Sequence, residues 1–337
     1  MNDSNKTTEY AVRIHAYGGP QAMVYEAVDV PAPAPGEVQI RQSAIGINYL
    51  DTYHRRGIFP IPLLPGALGV EAAGTVVAVG QGVTGFRQGD RVSYACPPVG
   101  SYASLRNLPG RHLVKLPDAV GFEQAAAATL QGLTVHMLLR KVTHLRAGQS
   151  VLLHSAAGGL GSLLTQWAKR MGLHVIGVVG SQEKLAVARA NGCDEVIVGS
   201  QEPFAEGVRR ITGSQGVDVV FEGLGGSVFH ESLSLVKPFG QIVNLGQVAE
   251  GLPNVSLADL GPARSLSVCV PGVFAYVRTH PDLQAAADEL FGLIADGSLK
   301  VHVGARFALS QAAQAHHALE SRATTGSLVL LPEGSAA

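Results

Sequence analysis

Residues 151–172, VLLHSAAGGLGSLLTQWAKRMG, constrain the fold of this chain more than any other segment. An apolar strand ends at His154, a turn of small residues follows, and an amphipathic helix begins near Leu160. Ala156, Gly158 and Gly161 fill the three positions of a G-x-G-x-x-G pattern, with alanine at the first. Gly158 lets a backbone approach a pyrophosphate, and Gly161 lets the helix pack close on its strand. The helix N-terminus at Gly159 and Leu160 offers unpaired N–H groups and the positive end of a dipole. A tight strand-to-helix turn can also bind nothing. Here a strand precedes, a helix follows and a second strand stands at the right distance, which is the context a dinucleotide site requires.

That turn opens a run of alternating elements. Strands are predicted at 151–154, 174–179, 195–198, 217–222 and 241–245, and helices at 160–171, 181–191, 203–212 and 228–236. Ser181 reads as an N-cap, and Pro203 sits in the first turn of its helix. Short apolar strands alternating with helices predict an α/β fold with a Rossmann-type, doubly wound parallel sheet, and 266–270 is a candidate sixth strand. Residues 11–117 read differently, as short strands and turns such as EVQIRQSAIGIN, AAGTVVAVG and GDRVSYA. After Pro271 the pattern is a helix over 281–295, a strand near Val301, a helix near 311–319 and a last strand at 327–331. This tail is too short for a core of its own. It is expected to pack back on the first segment, giving one discontinuous, mostly β domain of 1–130 with 271–337 around a nucleotide domain of 131–270. The terminal PEGSAA reads as a frayed end.

An NAD site places an acid at the tip of the second strand to hold the ribose 2′-hydroxyl. The tip here is Val178-Val179-Gly180-Ser181, with Lys184 shortly after. A hydroxyl and an ammonium beside a helix start suit a 2′-phosphate, so NADPH is favoured over NADH. Lys184 also reads as a solvated first-turn lysine, and Glu183 beside it supports that plainer reading.

Composition removes other classes. With 46% hydrophobic and 15% charged residues in 337, disorder is excluded. No apolar run approaches the ~18 residues of a membrane span. A net charge of -1 lacks the footprint of a dedicated nucleic-acid binder. Cys96, Cys193 and Cys269 are scattered, and residues 1–9 lack the apolar core of a secretory signal. The expected compartment is the cytoplasm.

Several segments carry a family resemblance: AYGGPQAM, IGINYLDTYHRRG, PGALGVEAAGTVVAVG, GDRVSYA, GSYAS, EQAAAATLQGLTVHMLL, HSAAGGLGSLLTQWAK and ESRATTGSLVL. In order and spacing the chain resembles the zinc-less medium-chain dehydrogenases/reductases, specifically quinone oxidoreductases of the zeta-crystallin type. The resemblance implies a GroES-like catalytic domain built from both termini, a Rossmann domain between, and a substrate cleft at their junction. Zinc-dependent relatives carry a cysteine ligand where this chain has Asn48, and G-H-E where it has Gly69-Val70-Glu71. Neither Asn48 nor Val70 suits a metal, so no metal is expected. His316-His317 reads as a helix surface.

The resemblance puts Asn48 and Tyr53 beside the nicotinamide. Asn48, Asp51 and Tyr53 are the candidate catalytic residues, in a strand-to-helix turn; alternatively Asn48 and Asp51 cap the helix and Tyr53 packs on it. Tyr53 is a conceivable proton donor. His54, Arg55 and Arg56 read as an exposed basic rim. The resemblance also brings Thr134, opening a helix, to the nicotinamide amide, and Arg322 to the adenine phosphate; for Arg322 a surface ion pair is the plain alternative. Leu245, Gly246 and Gln247 should pass the cofactor ribose, and Gly272 and Phe274 should reach the nicotinamide end. Two positions depart from the family: Gly199 replaces a frequent tyrosine and Gly223 a frequent serine. The implied activity is NADPH-dependent reduction of a quinone. Alternatives are reduction of an enone or alkenal double bond, and a non-enzymatic crystallin-like or AU-rich RNA-binding role. The apolar edge LSVCV, 266–270, together with the resemblance, implies a homodimer joined through that strand.

Overall fold

The structure is a computed structural model that describes residues 8–333. Residues 1–7 and 334–337 lie outside the described residues; of the PEGSAA end expected to fray, Pro332 is buried and Glu333 accepts a hydrogen bond from Tyr25 Oη at 2.8 Å. The chain divides into two compact units, residues 134–273 and residues 1–133 with 274–337.

In the first of these, six strands lie in the order Glu195–Val198, His174–Val179, Ser150–His154, Val217–Glu222, Val236–Asn244, Ser267–Cys269. Every pairing is parallel. The order reverses between Ser150–His154 and Val217–Glu222, which places the topological switch point of a doubly wound sheet at the end of the strand that carries the glycine turn. Leu152, Ile176, Ile197, Val220 and Ile242 line the strands, and Val208, Phe229 and Leu233 cover them from the helices, all buried.

Three elements differ from expectation. Residues 181–191 form a 3-10 turn at Gln182–Lys184 followed by the helix Leu185–Ala190. Pro203 caps the helix Phe204–Thr212 instead of entering it. The helix expected at 228–236 is Gly226–Leu233, because Val236 is taken by the fifth strand, where it pairs with Val217. The register then skips to Val219 against Gln241. The residues between bulge outward, with Phe239 at φ 65° and 85% exposed. Gly240 allows the bulge to close: a Cβ there would lie 2.5 Å from Val236 Cγ1 and 2.7 Å from the Asp218 carbonyl.

The other unit is built on Glu37–Ile47, which pairs antiparallel with Glu71–Val79, with Leu105–Pro109 at its start and with Ser327–Leu331 at its end. Arg91–Ala95, Val114–Lys115 and Val303–Ala308 complete a seven-stranded sheet. The pairing of Leu328 with Ile47 is what returns the C-terminal tail to the N-terminal segment. Glu9–Ile14, Met23–Val28 and Gly66–Ala67 form a second sheet of three strands. Val38, Ile40, Ile45, Val76, Val92, Leu108, Leu328 and Leu330 meet in one core, joined by Tyr94 and Tyr102.

Candidate active site

The glycine turn has the geometry its sequence suggests. The strand ends at His154, Ser155 turns the chain at φ 56°, and Gly158 caps the helix Gly159–Arg170. A Cβ on Gly161 would lie 2.3 Å from the Ser155 carbonyl and 2.9 Å from Ala156 Cα, so only glycine lets this helix sit on its strand. Alanine is tolerated at the first position because Gly177 on the next strand makes room: a Cβ there would be 2.8 Å from the Ala156 methyl. The first N–H groups of the helix have no intrahelical acceptor, as at any helix start.

At the tip of the second strand Gly180 is open, with no atom within 4 Å of the place a Cβ would occupy. Lys184 is half-buried, and desolvation lowers its ammonium pKa. The Glu183 carboxylate takes a hydrogen bond from the Ser181 side chain, which lowers the pKa of Glu183 and occupies the hydroxyl expected to face a phosphate. After the fifth strand, Leu245, Gly246 and Gln247 are half-buried. Leu245 N–H donates to the Glu222 carbonyl at 2.6 Å, and Asn244 Nδ2 donates to the Gly246 carbonyl at 3.0 Å. Gln247 Oε1 accepts from Leu252 N–H. Glu222, buried, takes the N–H groups of Leu224 and Gly225 and so shapes the chain after the fourth strand; it was not among the sequence candidates. Gly272 is exposed, and Phe274 lies half-buried in the short helix Val273–Tyr276. Arg322 is exposed at φ 56° just after the helix Ala312–Glu320.

Thr134 does not open its helix. It lies inside Thr129–Met137, whose start is set by a carboxylate. Glu71, fully buried, accepts Leu130 N–H at 2.6 Å on Oε1. Its Oε2 accepts Asn48 Nδ2 at 2.7 Å. Burial pushes Glu71 up to about 8, against the pull of those donors. In this arrangement the Asn48 amide nitrogen faces Glu71 Oε2, and Asn48 Oδ1 accepts from Gln131 Nε2 at 3.4 Å.

Asn48 is also the N-cap of the helix Tyr49–Arg56. Its backbone N–H donates to Asp51 Oδ2 at 2.8 Å, half of a capping box. The cap reading thus holds for Asn48, which is clamped at its backbone by Asp51 and at its side chain by Glu71. Asp51 is fully buried, and burial pushes it up to about 7. Tyr53 is 7% exposed and packs edge-on against Phe59 at 5.6 Å. Val70 is a core residue.

Two readings are overturned. Of the expected basic rim only Arg56 is exposed; His54 is half-buried and Arg55 is buried. Arg55 finds partners in Gly18, in Glu320 through two bonds of 2.8 and 3.1 Å, and in His316 at 2.9 Å. His316 is not a helix surface either. Ala312, Ala315 and His316 share the buried face of their helix at i, i+3 and i+4, while His317 falls on the exposed one. No sequence signal links residues 261 positions apart. Glu71 had one, as a lone acid in the apolar run LGVEAAGTVVAV.

A doubly wound sheet with a glycine turn, and an antiparallel unit with a clamped amide where zinc relatives hold a metal ligand, define the medium-chain dehydrogenase/reductase class. Residues 159–292 match the zinc-binding dehydrogenase family and residues 34–118 the alcohol dehydrogenase GroES-like domain. The chain is 45% identical over 321 residues to a quinone oxidoreductase of Pseudomonas aeruginosa, covering 95% of this chain and 99% of that one. It is 40% identical over 331 residues to a 2-haloacrylate reductase of Burkholderia, covering 96% and 99%. The Escherichia coli quinone oxidoreductase complexed with NADPH superposes with a TM-score of 0.93 at 40% identity, covering 96% and 100%. The chain belongs to the quinone oxidoreductases of the medium-chain dehydrogenase/reductase family. Among the described residues no helix is long and apolar enough to cross a membrane.

Proposed function

We propose that this chain is an NADPH-dependent quinone oxidoreductase that works without a metal. The observation that carries the reading is Asn48, an amide held by Glu71 at a position where zinc relatives have a cysteine, with apolar Val70 in place of the histidine. No Lewis acid donor set is present there, which suits an acceptor that is already electrophilic.

The sequence candidates can be assigned to the parts of the cofactor. The backbone of Gly158, Gly159, Leu160 and Gly161 would hold the pyrophosphate, and Gly180, Lys184 and Ser181, its hydroxyl turned from Glu183, the 2′-phosphate. Leu245, Gly246 and Gln247 would follow the ribose, Thr134, Gly272 and Phe274 the nicotinamide end, and Arg322 the adenine phosphate. NADPH supplies the hydride when bound. The protein's own part is orientation and charge stabilisation. Asn48 Nδ2 has a second hydrogen that can donate to the acceptor oxygen as negative charge grows there. Asp51, having no exposed surface, holds Asn48 and does not meet substrate. Tyr53 bounds the acceptor and can orient or protonate the reduced product.

A panel of ortho-quinones, para-quinones and enones, assayed with NADPH and NADH and with a chelator added, tests this. Quinones should turn over fastest with NADPH, and the chelator should change nothing; loss of activity to the chelator would refute the metal-free site. The likeness to a 2-haloacrylate reductase favours a second reading, reduction of an activated carbon–carbon double bond. It wins if enones or haloacrylates outrun every quinone. We also propose a cytoplasmic homodimer, supported by the edge position of Ser267–Cys269.

A further inference from the structure

We infer that Tyr102 and His316 are positioning residues for Asn48, acting through Asp51 along a buried chain of hydrogen bonds that runs in one direction. The inference rests on the reading of Asn48 as the group that meets the acceptor.

The direction follows from what each atom can do. A guanidinium has donors only, so His316 Nδ1, 2.9 Å from Arg55 Nη1, accepts. A neutral histidine that accepts at Nδ1 carries its proton on Nε2, and that N–H donates to the Tyr102 oxygen at 2.9 Å. The Tyr102 hydrogen is then left for Asp51 Oδ2 at 3.0 Å. The same oxygen holds the backbone N–H of Asn48 at 2.8 Å. Asp51, Tyr102 and His316 have no exposed surface and Arg55 has 1%, so bulk water does not compete for these bonds. Glu320 balances Arg55 at the outer end. Burial and the nearby Arg55 charge lower His316 to about 3, which keeps it neutral. Asp51 Oδ1 is buried and makes no hydrogen bond, so the grip on Asp51 passes through Oδ2. There Tyr102 is the one side-chain donor among the described residues. Freed from Tyr102, Asp51 could swing toward another partner, and the N-cap backbone that aims the Asn48 amide would lose its fixed reference.

Kinetics with NADPH and one saturating quinone test the role. Tyr102→Phe keeps the ring and removes the hydrogen bond to Asp51 together with the one from His316, so kcat should fall about 3- to 10-fold while KM for NADPH stays within about twofold. His316→Leu should fall by as much. His316→Gln, whose amide can accept from Arg55 and donate to Tyr102, should restore most of the rate. The double variant Tyr102→Phe/His316→Leu should be no slower than the slower single, because both cut one chain. Wild-type kcat in Tyr102→Phe, losses that multiply, or a glutamine no better than leucine would overturn the proposal. Nitrogen-15 NMR of histidine-labelled protein reads the chain without turnover. His316, assigned by its absence in His316→Gln, should be the neutral Nε2–H tautomer from about pH 5 to 8. An Nδ1–H tautomer or an imidazolium in that range overturns the direction of the chain. If the wild type reduces no acceptor, the functional reading fails and the positioning role falls with it, while the NMR result still decides whether the chain itself stands.

Discussion

At the scale of single residues, the proposed contact of Lys184 with a 2′-phosphate is tested by two cofactors that differ by that phosphate. A charge-assisted bond is worth ~1.5–3 kcal/mol, so Lys184→Ala should weaken NADPH by about 10- to 100-fold and leave NADH nearly unchanged. Equal losses in titrations with both would take Lys184 away from the 2′-phosphate. Tyr53 is a second such test. Its hydroxyl is dispensable if solvent can protonate the product, so Tyr53→Phe should cost less than the 10²–10⁴-fold typical of a general acid, and Tyr53→Ala should raise KM. A drop above about 10³-fold in kcat for phenylalanine would make the hydroxyl essential. His154 gives a signature in stability. It is buried against Ser232 Oγ at 2.9 Å, and desolvation lowers it to about 4. The unfolded chain takes up that proton near pH 6.5 and the folded chain does not, so stability falls as pH drops from about 6.5 to 4, by on the order of 3 kcal/mol. Denaturant melts of wild type and His154→Gln at about pH 7 and about pH 4.5 should show the larger acid loss in wild type. Lys184 and Tyr53 were legible as candidates because each follows a recognisable turn. Arg55 and His316 were misread because a sequence shows a charged or polar side chain without the partner that makes its burial tolerable.

At the scale of elements, the turn from Ser150–His154 into Gly159–Arg170 depends on one missing methyl. Gly161→Ala would drive a Cβ into the Ser155 carbonyl, so the helix must move off its strand. Such overpacking costs about 1–3 kcal/mol, and the first-turn N–H groups would shift with the helix. Thermal melts should show the loss of stability, and NADPH titration a weaker Kd. Gly180→Ala, with open space around it, should leave stability within about 0.5 kcal/mol and serves as the control. An unchanged Gly161→Ala would mean that the helix is not held by close approach. Periodicity found these elements because buried parallel strands and amphipathic helices imprint their own spacing. It missed the early start of the fifth strand, since the bulge at 237–240 breaks the pattern and Gly240 permits it for reasons that lie on the neighbouring strand.

At the scale of the whole molecule, the edge strand Ser267–Cys269 pairs on one side only within the sheet, and Val270 beside it is 70% exposed. A second copy pairing there across a two-fold axis would remove the edge. Sedimentation at micromolar concentration should give twice the 35.0 kDa chain mass, and a charged substitution, Val268→Lys, should shift it toward monomer. A wild-type monomer throughout would refute the dimer. The sequence alone determined the alternating sheet, its glycine turn, the lack of an acid at the second strand tip and the loss of metal donors at Asn48 and Val70. Each of these depends on residue identity within a short window, where backbone and side-chain chemistry act directly. Tertiary structure alone decided that Glu71 clamps Asn48, that Asp51 reaches Tyr102, and that Arg55 and His316 are buried together. Those pairings join residues far apart in the chain, and a polar group's tolerance of burial is set by the partner that folding brings to it.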